Sequence, residues 1–315
     1  MPIDPKKTAF LFPGQGSQAV GMGRVLAAAE PAAADVFLEA DSILSEPLSK
    51  LCWEGPADLL NDTLNTQPAL LTHSVAVLRV LQNRLPDFVP AFTAGHSMGE
   101  FSALVASGAL SFEDALRLVR ERGRVMQAAG QRQPGGMAAV LGPSIEVVDD
   151  CCEKARAATG GVVQVANDNC PGQVVISGDD RSLSAAIERL QAVGARKVIR
   201  LAVSIAAHSP LMTPAQEDFN RAVRAAPILD PHVPVLGNVG ANRLLTASDI
   251  RTDLEAQLTS RVRWTESVRW MIDAGVDHFI ELGTGTVLAG LVRRIDRAVT
   301  ALSVDEPDSM VLLLA

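Results

Sequence analysis

The chain has 315 residues, of which 48% are hydrophobic and 20% charged, and its formal net charge is −8 at pH 7. This apolar content excludes a largely disordered chain, and the length fits two domains or one large α/β domain with an insertion. The acidic balance and the 4% aromatic content argue against a nucleic-acid partner, which needs basic surface and stacking platforms.

The cysteines and the N-terminal stretch bear on location. The four cysteines, Cys52, Cys151, Cys152 and Cys170, contain no CxxC pair and are typical of free thiols in a reducing compartment. The apolar run at residues 9–12 is too short for a signal peptide or a membrane span. We therefore expect a cytoplasmic protein with no membrane partner.

The first third of the chain alternates between strand and helix patterns. An apolar run predicts a buried strand over 8–12 that ends at Pro13-Gly14, and an Ala-rich stretch predicts a helix over 20–34. A 3.6-residue apolar stripe predicts a core helix over 68–85, starting near Pro68. Further patterns predict a strand over 88–94 and helices over 100–107 and 112–129.

The middle of the chain has a different order, β-α-β-β-α-β, which is typical of a ferredoxin-like module. The predicted elements are a strand at 136–141, a helix at 145–158, strands at 162–165 and 174–177 joined by a polar turn at 167–172, a helix at 182–193 and a strand at 197–203. We expect an inserted subdomain at 132–202, with 1–131 and 203–315 forming one doubly wound α/β core. After it, alternation resumes with a strand at 233–235, helices at 250–258 and 267–274, a strand at 278–281 and a helix at 287–295.

The strongest local motif is Gly95-His96-Ser97-Met98-Gly99, between a predicted strand and a predicted helix. This context suits a nucleophile elbow, in which the glycines allow a tight turn and the serine stands at a helix N-terminus. There the backbone N–H groups and the helix dipole favour an oxyanion. The alternative is a Gly-rich turn that holds an incidental serine.

A serine nucleophile needs a base, and five histidines are available. His73 lies on the apolar helix and fits a core position, His96 fits a role in shaping the elbow, and His232 and His278 lie in a loop and at the start of a strand. His208 follows the last strand of the predicted subdomain, at a junction where functional loops concentrate. We therefore take His208 as the candidate base.

Two further features fit an acyl site. The Gly-rich turn around Gln15 follows the first strand, at the sheet edge where ligands bind, and its backbone can supply an oxyanion donor. No Lys-Ser/Thr follows, so it is not a Walker loop. Within Arg120-Glu121-Arg122-Gly123-Arg124, one arginine can face the cleft and bind a carboxylate, while Arg120 and Arg124 fit a solvated helix face.

Taken together, the motifs resemble a known family. The segments FPGQGSQAVGMG, TQPALLTHSVAV, AGHSMGEFSALVASG, RGRVMQ, NCPGQVVISGD, HSPLM, QLTSRVRW and ELGTGTVLAGLVRRI follow the order and spacing of malonyl-CoA:acyl-carrier-protein transacylases, from about residue 8 to about residue 310. The resemblance implies an α/β-hydrolase-like core with a mostly parallel sheet and the inserted ferredoxin-like subdomain.

The resemblance also implies roles for individual residues. Ser97 matches the nucleophile and His208 the general base, held by a backbone carbonyl near Gln257. Gln15 and Met98 match the positions whose backbone N–H groups form the oxyanion hole, and Met98 replaces the more usual leucine. The remaining matches are Arg122 for the malonyl carboxylate, Asn169 and Gln257 for polar lining residues, and Arg196 and Lys197 for a basic carrier-docking patch.

The activity implied is ping-pong transfer of malonyl from malonyl-CoA to the phosphopantetheine thiol of holo-acyl carrier protein for fatty acid synthesis, without a bound cofactor or metal. Small Ala207 allows a roomier pocket for branched malonyl units, and Thr284 and Thr286 replace a Pro and a Lys common in the family. The alternatives are a trans-acting polyketide acyltransferase, a malonate-decarboxylase transacylase, and, in other classes, a serine hydrolase with Asp179 or Asp180 as its acid or a non-catalytic acyl-binding subunit. A monomer is expected.

Overall fold

A computed structural model describes residues 3–203 and 205–314 of the chain, with the side chains of 311–314 left aside. The strands of its larger sheet are β1 Thr8–Phe12, β2 Phe92–Gly95, β7 Val235–Leu236, β8 Arg243–Leu244, β9 His278–Leu282 and β10 Thr300–Val304. They have the order β10-β9-β1-β2-β7-β8. Neighbouring strands are parallel from β10 to β7, and only the short β8 is antiparallel.

The helices cover this sheet and bury its apolar strands. The completely buried β1 separates two apolar clusters, one on each side of the sheet, as a doubly wound fold requires. The helices are α1 Arg24–Ala29, α2 Pro31–Leu44, α3 Leu48–Glu54, α4 Ala57–Asn61, α5 Thr63–Arg84, α6 Gly99–Ala106, α7 Phe112–Arg132, α8 Ile145–Thr159, α9 Asp180–Ala192, α10 Thr213–Ala225, α11 Ala247–Gln257, α12 Trp264–Asp273, α13 Val287–Ile295 and α14 Pro307–Leu314.

The second sheet is antiparallel and has its own core. Its strands are β3 Gly136–Leu141, β4 Val163–Cys170, β5 Gln173–Gly178 and β6 Lys197–Arg200, in the order β4-β5-β3-β6. Helices α8 and α9 pack on it around a third apolar cluster. The predicted βαββαβ order and the mixed α/β fold are confirmed, whereas the division at 131/132 and 202/203 stays a prediction.

Two helix predictions in the first third were wrong in their bounds. The Ala-rich stretch forms α1 and α2 rather than one helix, because the ring of Pro31 holds Glu30 in an extended conformation. Helix α5 begins five residues before Pro68, because the Asp62 side chain caps it by accepting from the N–H of Leu64. The Leu64 carbonyl, which Pro68 cannot donate to, accepts from Arg120 at 3.2 Å.

The polar turn predicted at 167–172 was also wrong. Strand β4 continues through Asn167 to Cys170 with two register irregularities, and the connection to β5 is only Pro171-Gly172. A parallel bridge from Asn167 to Val262 ties this polar stretch to the segment before α12. As a result, Asn169 lies on a strand beside the cavity described below rather than in a surface turn.

Helix α13 is fixed to the larger sheet by a buried carboxylate. Glu281 on β9 accepts from the N–H groups of Leu288 at 3.0 Å and Ala289 at 2.9 Å, in the first turn of α13. Burial raises the pKa of Glu281 to about 6. This capping sets the position of the helix that forms one wall of the cavity. Among the described residues, no helix combines the length and apolar character needed to cross a bilayer.

Candidate active site

Ser97 stands on a strained turn between β2 and α6. Its φ is +52°, a left-handed conformation that side chains seldom adopt. The turn requires glycine on both sides: a Cβ at Gly95 would lie 2.0 Å from backbone atoms of Gly99, and one at Gly99 would lie 2.2 Å from the Phe12 carbonyl oxygen. The predicted elbow at the carboxyl end of a buried strand is therefore present.

Asn238, which sequence analysis missed, holds this turn from the neighbouring strand. Its Oδ1 accepts from the Ser97 N–H at 2.7 Å, and its Nδ2 donates to the Gly95 carbonyl at 2.8 Å. The side chain is buried and follows β7, which pairs with β2. Its only sequence signal was its place three residues after the end of the strand predicted at 233–235.

Ser97 and His208 are in direct contact. The Oγ of Ser97 lies 2.8 Å from Nε2 of His208. The other ring nitrogen, Nδ1, faces the main-chain carbonyls of Gln257 at 2.9 Å and Ser260 at 3.1 Å. Since a carbonyl only accepts, Nδ1 carries the proton and Nε2 is free to accept one from the serine.

The environment of His208 keeps the imidazole neutral. Burial, and after it the Arg122 guanidinium, lower the pKa of His208 to about 3. We therefore expect kcat/KM for acyl-enzyme formation, at subsaturating malonyl-CoA, to stay level from pH 8 down to about pH 5, because the base of the free enzyme is already deprotonated throughout this range. Stopped-flow measurement of acylation across this range checks the expectation, and an acid limb with a midpoint near the ordinary histidine value would contradict it.

Arg122 points from α7 into the site and is 1% exposed. Its Nη1 donates to Gln67 Oε1 at 2.9 Å, and its Nη2 donates to Gln257 Oε1 at 2.9 Å and to Ser97 Oγ at 3.1 Å. Among the described residues, no acidic side chain forms an ion pair with it, and its Nε is buried without an acceptor. Burial lowers the pKa of Arg122 to about 10, so the group remains a cation at pH 7.

The two neighbouring arginines behave as expected for a helix face. Arg120 donates to the Leu64 carbonyl and to Asn65 and pairs with Glu46, while Arg124 pairs with Glu121 three residues before it. Of the three arginines in this run, Arg122 is the one that lines the cavity.

A cavity of about 380 Å³ contains these groups. Its walls come from strands β3, β4 and β5 of the antiparallel sheet and from the turns that follow β1 and β2 of the larger sheet. The predicted residues that line it are Gln15, Ser97, Arg122, Asn169 and His208. The backbone N–H groups of Gln15 and Met98 have no acceptor among the described residues, as open oxyanion donors require. Arg196 and Lys197 do not line the cavity; they are exposed near β6 at the sheet edge.

The other predicted site residues have structural partners. Asn169 Oδ1 lies 2.9 Å from Nε2 of His96, and burial lowers the pKa of His96. His73 is a core histidine, with Nδ1 2.6 Å from Thr284 Oγ1 and a pKa that burial lowers to about 4. Gln257 does not line the cavity. Its main-chain carbonyl accepts from Nδ1 of His208, and its side-chain Oε1 accepts from Arg122.

The geometry disfavours the hydrolase alternative. Asp179 caps helix α9 by accepting from Ser182 N, and Asp180 pairs with exposed Arg200. Neither faces the Nδ1 of His208, which is held by two main-chain carbonyls. A buried arginine beside the nucleophile also has no role in hydrolysis of a neutral ester.

Comparison with known proteins identifies the family. The model of the family described as "Acyl transferase domain" matches residues 9–305. The malonyl CoA-acyl carrier protein transacylases of Bacillus subtilis and Staphylococcus aureus are 46% and 42% identical, over 98% and 95% of this chain and 96% and 95% of theirs. An acyl carrier protein S-malonyltransferase from Vibrio cholerae superposes with a TM-score of 0.93 at 40% identity, covering 98% of this chain and 99% of that one.

A second solved structure contains a partner. It is described as a type II PKS acyl-carrier protein in complex with its malonyl-transacylase, and it matches with a TM-score of 0.94 at 39% identity over 98% of this chain and 99% of that chain. Sequence, fold and near-complete coverage agree. The chain belongs to the acyl transferase family, among its malonyl-CoA:acyl-carrier-protein transacylases.

Proposed function

We propose that this chain transfers a malonyl group from malonyl-CoA to the phosphopantetheine thiol of holo-acyl carrier protein, through a malonyl ester of Ser97. One observation carries the proposal: a buried, cationic Arg122 lies 3.1 Å from a serine oxygen that is itself paired with a neutral histidine. This places a carboxylate-binding group next to an acyl-accepting group, as a malonyl thioester requires. The family relatives carry the same activity in their names.

In the first half-reaction, Nε2 of His208 takes the proton of the Ser97 hydroxyl while Oγ attacks the thioester carbonyl. The backbone N–H groups of Gln15 and Met98 stabilise the oxyanion that forms. The intermediate collapses by breaking the carbon–sulfur bond, and the imidazolium returns its proton to the departing CoA thiolate. The products are malonyl-Ser97 and CoA.

The second half-reaction uses the same groups in reverse order. His208 deprotonates the phosphopantetheine thiol, the sulfur attacks the ester carbonyl, and the carbon–oxygen bond to Ser97 breaks with return of the proton to Oγ. An ester and a thioester are exchanged, so the reaction needs no ATP or bound cofactor. The backbone carbonyls at Nδ1 hold the ring in the same tautomer in both directions.

Arg122 links substrate charge to the strength of the base. In the free site its positive charge helps to lower the pKa of His208. A malonyl carboxylate paired with the guanidinium offsets this charge, so the imidazole becomes a stronger base only when the correct substrate is bound. Binding and proton transfer are then coupled through one side chain.

We also propose that the carrier protein binds beside β6, where the chain that follows this strand reaches the cavity. Leu201, Ala202 and Val203, which follow β6, line the cavity, and exposed Arg196 and Lys197 lie at the opposite end of this strand. An acidic carrier protein that extends from the cavity along β6 would meet this positive charge. We expect the double substitution R196E/K197E to raise the KM for holo-carrier about tenfold with the KM for malonyl-CoA unchanged. The control K50E reverses the charge of an exposed lysine on α3 that does not line the cavity, and an equal effect of this variant would contradict the placement.

The direct test is intact-protein mass spectrometry after brief mixing with malonyl-CoA or acetyl-CoA, followed by holo-carrier protein. We expect a malonyl adduct from the first donor only, and its movement to the carrier. An adduct that decays to free malonate in the presence of carrier would favour hydrolysis instead. Comparing fatty acid and polyketide carriers addresses the pathway, because one structural relative was solved with a polyketide carrier.

A further inference from the structure

Two buried carboxyl groups lie behind the dyad and take no part in the reaction described above. Glu100 follows the elbow on α6 and is completely buried, and Asp253 on α11 is 6% exposed. The two side chains are in hydrogen-bonding contact. Glu100 Oε1 and Asp253 Oδ2 have no donor among the described residues.

The other oxygen of each carboxyl group supports the active site. Glu100 Oε2 accepts from Nε2 of Gln257, the residue whose main-chain carbonyl holds His208 and whose Oε1 accepts from Arg122. Asp253 Oδ1 accepts from the N–H of Val239, next to the Asn238 that holds the Ser97 N–H. The pair therefore connects the supports of the nucleophile, the base and the arginine.

Two ionised carboxylates in contact at a buried site would repel each other, and Glu100 Oε1 and Asp253 Oδ2 would both remain without a donor. A single proton between them removes both costs. We propose that Glu100 is protonated at neutral pH and donates a hydrogen bond to the ionised Asp253. The pair then carries one negative charge and positions Gln257 and Val239.

The charged surroundings are consistent with this assignment. The charged groups that act on Glu100 are Asp253 on α11 and Arg122 on α7; burial and Asp253 raise the pKa of Glu100, against a smaller opposite effect of Arg122. Asp253 accepts from the main-chain N–H of Val239 at 3.2 Å and is slightly exposed, whereas Glu100 is completely buried beside the neutral amide of Gln257. The negative charge is therefore better placed on Asp253 and the proton on Glu100. The pair then carries one negative charge in total, on the carboxylate of Asp253.

Infrared difference spectroscopy at pH 7 tests the proton directly. We expect the carbonyl stretching band of a protonated carboxylic acid in the wild-type enzyme, and its loss in Glu100→Gln. The matched control Glu113→Gln, at an exposed glutamate on α7, should leave the band in place. A spectrum of the wild type without such a band, or a band that persists in Glu100→Gln, would overturn the proposal.

Acylation kinetics test the positioning role. Glu100→Ala leaves Asp253 without its donor and Gln257 Nε2 with only the Ser97 carbonyl as acceptor, at 3.2 Å. We therefore expect a loss of about tenfold or more in the acylation rate at saturating malonyl-CoA. Glu100→Gln keeps an acceptor for Gln257 and a donor for Asp253, and it should recover most of this loss. Equal damage in the two variants would mean that an ionised Glu100 is required, and would refute the shared proton.

This kinetic part rests on the proposed function, whereas the infrared band does not. A wild-type enzyme that shows the band but forms no malonyl adduct would support the carboxyl pair and refute malonyl transfer. The two failures are therefore distinguishable.

Discussion

Replacement of Ser97 by alanine is expected to abolish the malonyl adduct and to lower the transfer rate by about 10⁴-fold or more, the scale seen when a serine nucleophile is removed. The physical reason is that Oγ is the atom held 2.8 Å from His208 Nε2, and no other oxygen takes its place. The measurement is intact-protein mass after mixing with malonyl-CoA, combined with transfer to holo-carrier protein.

Ser17→Ala is a suitable control, because Ser17 also lines the cavity but makes no contact with His208. It should form the adduct at nearly the wild-type level. A stable malonyl adduct on Ser97→Ala would move the covalent step to another residue. Circular dichroism should show an intact fold in both variants, since the loss of one hydroxyl leaves the elbow glycines in place.

Replacement of Arg122 by alanine is expected to lower kcat/KM for malonyl-CoA by about 100-fold or more, in line with the 2–5 kcal/mol associated with truncating one member of a buried charge pair. The acetyl-CoA reaction should lose far less, because a neutral acyl group leaves the guanidinium unpaired in the wild type. The ratio of malonyl to acetyl loading, measured by competition between the two donors, therefore falls.

The matched control is Arg124→Ala, on the same helix but with its guanidinium paired to Glu121 at the surface. It should leave the loading ratio unchanged. Arg122→Lys keeps the charge but loses the planar fork, so we expect an intermediate ratio. An unchanged ratio in Arg122→Ala would place the carboxylate contact on another residue.

Much of the fold was predictable, because local apolar patterns decide it. The strands at 8–12 and 136–141 and the helix at 287–295 have the bounds that the patterns predict. Strand β10 was missed, since Thr300–Val304 is short and mixed in polarity, and it is defined only by pairing with β9. The predicted start of α5 was wrong because Asp62 caps the helix five residues before Pro68. The proline is tolerated inside the helix since the Leu64 carbonyl accepts from Arg120 instead.

The site was predictable where one motif carries the chemistry. The elbow around Ser97 follows from glycine spacing, and His208 follows from its place at the junction after the predicted subdomain. The choice of Arg122 came from the resemblance to a family, and the contacts support both residues. Asn238, Gln67 and the Glu100–Asp253 pair were not foreseen. Their roles depend on contacts across more than 50 residues of sequence, which no local pattern encodes.

The catalytic base is supported by two parts of the molecule that have separate cores. The carbonyls of Gln257 and Ser260, at and after the end of α11, hold Nδ1 of His208, whereas the carbonyl of His208 accepts from Gln164 of the antiparallel sheet at 2.7 Å. A local opening between these parts removes one support of the imidazole while each core stays folded. Catalytic activity is therefore a more sensitive reporter of mild denaturation than helix content, and it is lost before the cooperative unfolding of either core begins.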